Sequence, residues 1–422
     1  MKIVALKTRT DLSLIYSKIP EDLYQGSTTL NGEWTAGSYS IGDQFYYSGV
    51  QPHRVYTSKV NTNTSIPGSD TTKWTNNGAT DRWLMFDEYM ESQSPYDEEF
   101  TVEVDSSNLN YTMLARIVAI NITLTLFVNT QLLTGGDCSA DTFDKGTGWT
   151  HDSGNTEYDS DGSQTAVSLL TQSIITTEDV KYLVKFTLQN FSAGTLGGYA
   201  GGTSGTGVAV NGDYAQILTA GADGLAGVVA SDDFVGSVTD ISSQKVPKSE
   251  TIETRTSATV DWYTYLLQPV TTKELISWDF PKYANSTLRA TITYVASSDA
   301  KVGIMSMGFA TFLGETTYGG DIGYIDYSRK VTDPDFGFTY LAKGSYADDG
   351  DFNVWIDTNK VDTIKRILVA NRGVATILDF NEENADIGTL EALVYYCFLG
   401  QPRVTLVYKT KSRLRIEAIG LI

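Results

Sequence analysis

The residues best suited to chemistry in this chain are aromatic. In the stretch WTAGSYSIGDQFYYSG, Trp34 to Gly49, five rings stand among glycines and small polar residues. Rings on a turn-rich scaffold offer flat apolar faces that stack on the C–H faces of sugars, so Trp34, Tyr39, Tyr46, Tyr47, Tyr56 and Trp74 are candidate carbohydrate contacts. The same rings also suffice to build the core of a unit of about forty residues. A second candidate is EYDSDG, where Glu157, Asp159, Asp161 and Gly162 mimic the opening of an EF-hand loop. Ser168 stands where the bidentate Glu of such a loop belongs, so a structural Ca²⁺, the one cofactor considered, competes with solvated turn carboxylates.

Catalytic patterns are sparse. Histidine chemistry could draw only on His53 and His151, and neither lies near a nucleophile elbow. No acidic pair has the apolar surround that raises one carboxyl group, and Asp348, Asp349 and Asp351 in YADDGDF read as a turn. GTLGGYAGGTSGTG lacks the Gly-Lys-Ser/Thr of a phosphate loop. The expectation is a protein that is not an enzyme.

Composition narrows the partners. Lys plus Arg total 31 against 51 Asp plus Glu, a formal charge of -20, and no basic stripe interrupts it. Such a surface repels phosphate backbones, which argues against direct nucleic-acid binding. Cys138 and Cys397 fit neither a metal spacing nor a disulfide framework and read as two buried thiols made in a reducing compartment. The opening MKIVALKTRTDLSLIYSKIP has no signal-peptide core, and no apolar run is long enough to span a membrane.

The elements that must position these residues are strands. Thr, Ser, Gly, Tyr and Val are plentiful, which favours strands joined by short turns. Period-two alternation marks FTVEVDSS and ARIVAINITLTLFVN, and KYLVKFTLQNF, GVAVNGDYAQILTAG, ATVDWYTYLL, LRATITYVAS, KVGIMSMGFATFLG and the closing pair PRVTLVYKT and RLRIEAIGLI also read as strands. Two helices are expected. One lies in DTNKVDTIKRILVANRG, with Asp357 as cap, Val361, Ile364 and Leu368 on one face and Gly373 as terminator; the other lies in GTLEALVYYCFLG. The reading is a mainly β, multi-domain chain: a strand or arm over 1–30, a small aromatic unit over 31–76, the first part of a β core over 77–134, an inserted jelly-roll sandwich over 135–250, and the rest of the core, with one or two short helices, over 251–422.

Two resemblances add to this. YSIGDQFYYSG, closed by PGSDTTKW, resembles the core of small carbohydrate-binding modules of the chitin-binding type. TDRWLMFDEYMESQS (80–94), YGGDIGYIDYSRKVTDPDFGFTYLAKGSYADDGDF (318–352) and the terminal LRIEAIGLI resemble a family of virion tail proteins of podovirus-like tailed bacteriophages. In that family the small module precedes an RW.MFD connector, and the late β domain carries G.IDYSRK..D.FG, matched here by Gly323 to Lys330 and then Asp335-Phe336-Gly337. The resemblance implies a tail subunit of sheath or collar type, located in the virion, synthesised in host cytoplasm and forming a ring with copies of itself. Its further partners would be tube, portal-proximal or fibre proteins and host surface glycans. Asp326, Arg329 and Lys330 are the expected assembly contacts, with ordinary surface ion pairing as the alternative. A receptor-binding adhesin or tail fibre protein gripping host polysaccharide is the competing reading, and a depolymerase a third.

Overall fold

The computed structural model describes residues 1–7, 11–26, 28–87, 89, 91–174, 176–254, 273–317, 319–332, 339–381 and 390–421. The chain is mainly β, with one α-helix and three short 3₁₀ turns among the described residues. The expected strand ATVDWYTYLL and the Asp335-Phe336-Gly337 motif lie outside them.

The body rests on an eleven-stranded sheet, antiparallel throughout. Its main path runs Leu275–Asp279, Tyr111–Ala115, Ile304–Phe312, Lys2–Leu6, Thr376–Asp379, Val394–Leu399, Lys411–Gly420, Tyr346–Asp357 and Glu315–Thr316. Asp321–Asp326 also pairs with Tyr346–Asp357, and Arg403–Leu406 with Lys411–Gly420, so the closing hairpin forms as expected. A second sheet has the order Leu14–Ser17, Glu99–Asp105, Ser286–Thr293, Asn121–Val128 and Lys248–Glu253.

Alternation in sequence becomes two-sided packing. In NITLTLFV the side chains of Ile122, Leu124 and Leu126 point inward, beside Phe100, Val102 and Val104 and beside Leu288, Ala290 and Ile292. This layer packs on Leu114, Ile276, Trp278, Met305 and Met307 of the large sheet. The large sheet is curled into a half-barrel, and on its other face Val4, Tyr111, Met113, Ile377 and Tyr396 bury one another. Further along, Phe352, Val354 and Ile356 meet Leu414 and Ile416 under the helix Val361–Ala370, which contributes Ile364 and Leu368 from one face.

Between Asn121–Val128 and Lys248–Glu253 the chain builds two further five-stranded sheets around one core. One contains Asp144–Lys145, Ser168–Ser173, Leu225–Ala230, Leu196–Ala200 and Thr203–Ser204. The other contains Trp149–Asp152, Glu157–Asp161, Val235–Val246, Lys181–Ala193 and Gly212–Thr219. Tyr158, Phe186, Leu188, Val228 and Phe234 fill the space between them, a β-sandwich by construction.

Three local expectations are corrected. The second helix is a 3₁₀ turn, Glu391–Leu393, followed by the strand Val394–Leu399. Val394 and Tyr396 bury on one face of that strand while Tyr395 and Cys397 bury on the other, a use of β-branched and aromatic residues that only a central strand allows. Asp348, Asp349 and Asp351 lie within the strand Tyr346–Asp357, where strand pairing, on both sides for Asp349 and Asp351, overrides their turn preference. Asp357 makes no side-chain cap; its carboxylate pairs with Lys360 at 3.1 Å and Lys411 at 3.2 Å, while Gly373, at φ 71°, lies in the turn after the helix. Both cysteines are free and buried, and burial pushes the thiols up, Cys138 to about 11 and Cys397 to about 12.

The small aromatic unit is fastened to the body through Glu21. Its Oε1 lies 2.9 Å from His53 Nδ1 and accepts from Thr80 Oγ1 at 3.2 Å. Its Oε2 accepts from Arg82 Nη1 at 3.1 Å and Trp83 Nε1 at 3.3 Å, and the Trp83 ring packs on His53 with centroids 4.5 Å apart. Beside it, buried Asp81 accepts backbone N–H groups of Gln25 at 2.9 Å and Gly26 at 2.7 Å. Burial is the largest single influence on Glu21 and raises its pKa, but the bonds and charges of His53 and Arg82 outweigh it and hold the carboxyl below its ordinary 4.5. A depressed carboxylate stabilises the fold above the unfolded pKa and loses that contribution as pH falls through the folded one. Glu21→Gln is therefore expected to cost about 1–3 kcal/mol at pH 7 by chemical denaturation, with the gap to the parent closing as pH falls below 4.5. An equal gap at pH 7 and pH 3 would contradict this.

Candidate functional site

The aromatic unit is a three-stranded sheet, Gln44–Tyr47, Arg54–Ser58 and Trp74–Ala79, wrapped by turns. The strand period divides the six candidate residues. Trp74 and Tyr56 are core: both are buried, and Trp74 Nε1 donates to the Ser65 carbonyl at 2.9 Å. Trp34, Tyr39 and Tyr47 are half-buried and touch as a group, with Trp34 edge-on to Tyr47 at 5.7 Å and 6.4 Å from Tyr39. Phe45, not singled out in the sequence, joins them 4.5 Å from Tyr39. Tyr46 lies on the opposite side of its strand; its phenol is raised by desolvation and then by Glu33, Glu21 and Asp22. The six residues are therefore not one surface. Two hold the unit together, three form a partly open ledge, and one faces the body.

Two details mark how the ledge is packed. Trp34 Nε1 is shielded from solvent and has no hydrogen-bond partner, a donor left over by the fold. Gly49 lies so close to the Tyr47 ring that any Cβ there would collide with it, so that ring stays where it is only over glycine.

The acidic candidates are rearranged. Glu157 and Asp159 project from the strand Glu157–Asp161, and the carboxylate that joins them is Asp152, which pairs with Glu157 across the hairpin. Their ligand atoms lie within 4.8 Å of one another. Asp161 is not part of this trio: its carboxylate caps the turn by accepting from Ser163 N at 2.9 Å. The segment is the strand Glu157–Asp161 and not the wrapping loop of an EF-hand, so the third carboxylate comes from the neighbouring strand. Glu157 is held above its ordinary range by burial, then by Asp159 and Asp152. The oxygen donors match a hard cation in type; one from each side chain falls short of the six to eight that Ca²⁺ takes.

The expected assembly residues lie on a projecting arm. Asp321–Asp326 pairs with the first half of Tyr346–Asp357 at the edge of the large sheet, and between these two strands the chain forms the separate hairpin Arg329–Thr332 with Thr339–Ala342. Asp326 belongs to the bend: its carboxylate accepts from Ser328 N at 2.8 Å, and Ser328 Oγ accepts from Gly344 N at 2.9 Å. Gly344 runs so close to the Tyr327 carbonyl that a side chain there would clash. Arg329 and Lys330 are exposed, and neither has an ion pair among the described residues. Around them Tyr324 is 70% exposed, Tyr340 60% and Leu341 75%. The sequence signal for this, missed at first, is Tyr340-Leu341: adjacent large apolar residues in a two-stranded ribbon cannot both face a core.

At the base of the arm, Arg116 lies over the Tyr346 ring, 5.1 Å from its centroid, beside a cavity of about 210 Å³ lined by Glu274, Asp348, Glu391 and Tyr395. Burial raises Asp348 and Glu391 above the usual carboxylate range and pushes the Tyr395 phenol to about 12. The cavity is smaller than ordinary ligand pockets of roughly 300–1,000 Å³. Comparison with protein-family models, with curated proteins and with solved structures finds no match for the chain.

The two tryptophans of the unit should behave oppositely. Trp74→Ala removes a buried ring and its hydrogen bond, and is expected to cost about 3–5 kcal/mol and unfold the unit. Trp34→Ala should cost only about 1 kcal/mol and leave it folded. Amide dispersion in NMR spectra and thermal melts of the two variants check this.

Proposed function

We propose that this chain is a structural subunit of a bacteriophage tail, of sheath or collar type, that associates with copies of itself and carries the small aromatic unit on its surface. The observation that supports the reading best is the arm, whose Tyr324, Tyr340 and Leu341 stand open to solvent near Arg329 and Lys330, which have no ion pair among the described residues. Large apolar side chains left open on both faces of one short ribbon are candidates for burial against a partner. The sequence resemblance gives the class of assembly, and in it the described fold supplies a broad sheet-rich body with small appendages. Heterologous contacts between such bodies close into rings when the rotation permits. The reading assigns no catalytic step, places the chain in the virion and makes tube, portal-proximal or fibre proteins its neighbours.

A second reading is supported by a separate feature, the half-buried ring cluster Trp34–Tyr39–Tyr47, whose open ring faces suit stacking on sugars. In that reading the unit grips host polysaccharide and the chain is an adhesin. Negative-stain electron microscopy and sedimentation of the purified protein at rising concentration test the first reading, which expects closed rings. A protein that stays monomeric at every concentration while binding a glycan array, and loses that binding in Trp34→Ala, would replace the first reading with the second.

A further inference from the structure

The arm has a composition that the rest of the molecule does not explain. Its outer hairpin is two-stranded, and two-stranded ribbons are marginal in water without a covering partner. The register Arg329↔Ala342, Lys330↔Leu341 and Val331↔Tyr340 puts Arg329 and Tyr340 on one face, Lys330 and Leu341 on the other. Each face thus presents a cation next to a large exposed apolar side chain. Tyr, Arg and apolar anchors are the residues that dominate the cores of protein interfaces.

The charge of the chain indicates what covers this hairpin. Residues 327–343 carry Arg329, Lys330 and Lys343 against Asp333 and Asp335, whereas the whole chain stands at -20. Two such copies repel over most of their surfaces, and approach is favoured where cations of one meet carboxylates of the other. We propose that the hairpin Arg329–Thr332 with Thr339–Ala342 docks on the acidic surface of a second copy of this chain, inserting Tyr340 and Leu341 while Arg329 and Lys330 pair with carboxylates there. This deepens the self-assembly reading and rests on it. Because the donor is an arm and the receiver lies elsewhere on the next copy, the contact is head to tail.

The test uses the full chain, the double variant Arg329→Glu/Lys330→Glu and, separately, Leu341→Ser, all followed by sedimentation velocity at 50 mM and 500 mM salt. These side chains are exposed, so circular dichroism and melting temperature should match the parent. The expected result is a parent that associates at low salt and weakens at high salt. The double variant should be at least tenfold weaker at low salt, and Leu341→Ser should be weakened at both salt levels. Parent and variants that associate alike would overturn the docking of the arm and leave the self-assembly reading standing. A parent that never associates would overturn both. A parent that stays monomeric but floats with anionic phosphatidylglycerol vesicles, in an arm-dependent way, would assign the arm to a membrane surface and overturn the proposal.

Discussion

Both faces of the eleven-stranded sheet have to be covered, and most of the molecule follows from how that is done. On one face the second sheet covers the first strands and the helix covers the later ones, through Ile122, Leu124 and Leu288 in one place and Ile364 and Leu368 in the other. On the other face the sheet covers itself by curling, bringing Val4 and Tyr111 against Ile377 and Tyr396. The burial is non-directional, but the strand period gives it direction: a one-residue slip would turn each inward row to solvent. Where the cover ends, from Asp321–Asp326 onward, the apolar side chains Ile322, Tyr324, Tyr340 and Leu341 stand open. The arm is the point at which the chain runs out of its own material to pack.

The small aromatic unit solves the opposite problem. It is too small to bury much, so it spends Trp74 and Tyr56 on its core and leans on polar bonds for its place on the body. Glu21 is central to that attachment, since a single carboxylate gathers His53, Thr80, Arg82 and Trp83 from the unit's edge and the following connector. The arrangement ties the unit's edge to the connector at several points.

Much of the fold was legible. NITLTLFV, FTVEVD and RLRIEAIG alternate so cleanly that their strands and buried faces could be read directly, and the helix at Val361–Ala370 announced itself by Ile364 and Leu368. VYYC was misread because a strand buried on both faces shows no alternation, so its pattern is shared with a buried helix. Asp348 and Asp349 were misread because turn preference is local, whereas strand pairing, on both sides for Asp349, is not. The candidate site was legible by residue type and not by arrangement: the aromatic set was found, but not its division into core, ledge and body-facing ring.

By itself the sequence determined the β class, the strand faces, the acidic character and the types of side chain available for binding. These depend on period, propensity and charge, which act between residues close along the chain or on the chain as a whole. Only the tertiary structure decided that Asp152, and not Asp161, joins Glu157 and Asp159, that Trp34 keeps an unused donor, and that Tyr340 and Leu341 find no core. Each of these depends on which distant strands become neighbours, and that choice is made by the packing of whole sheets.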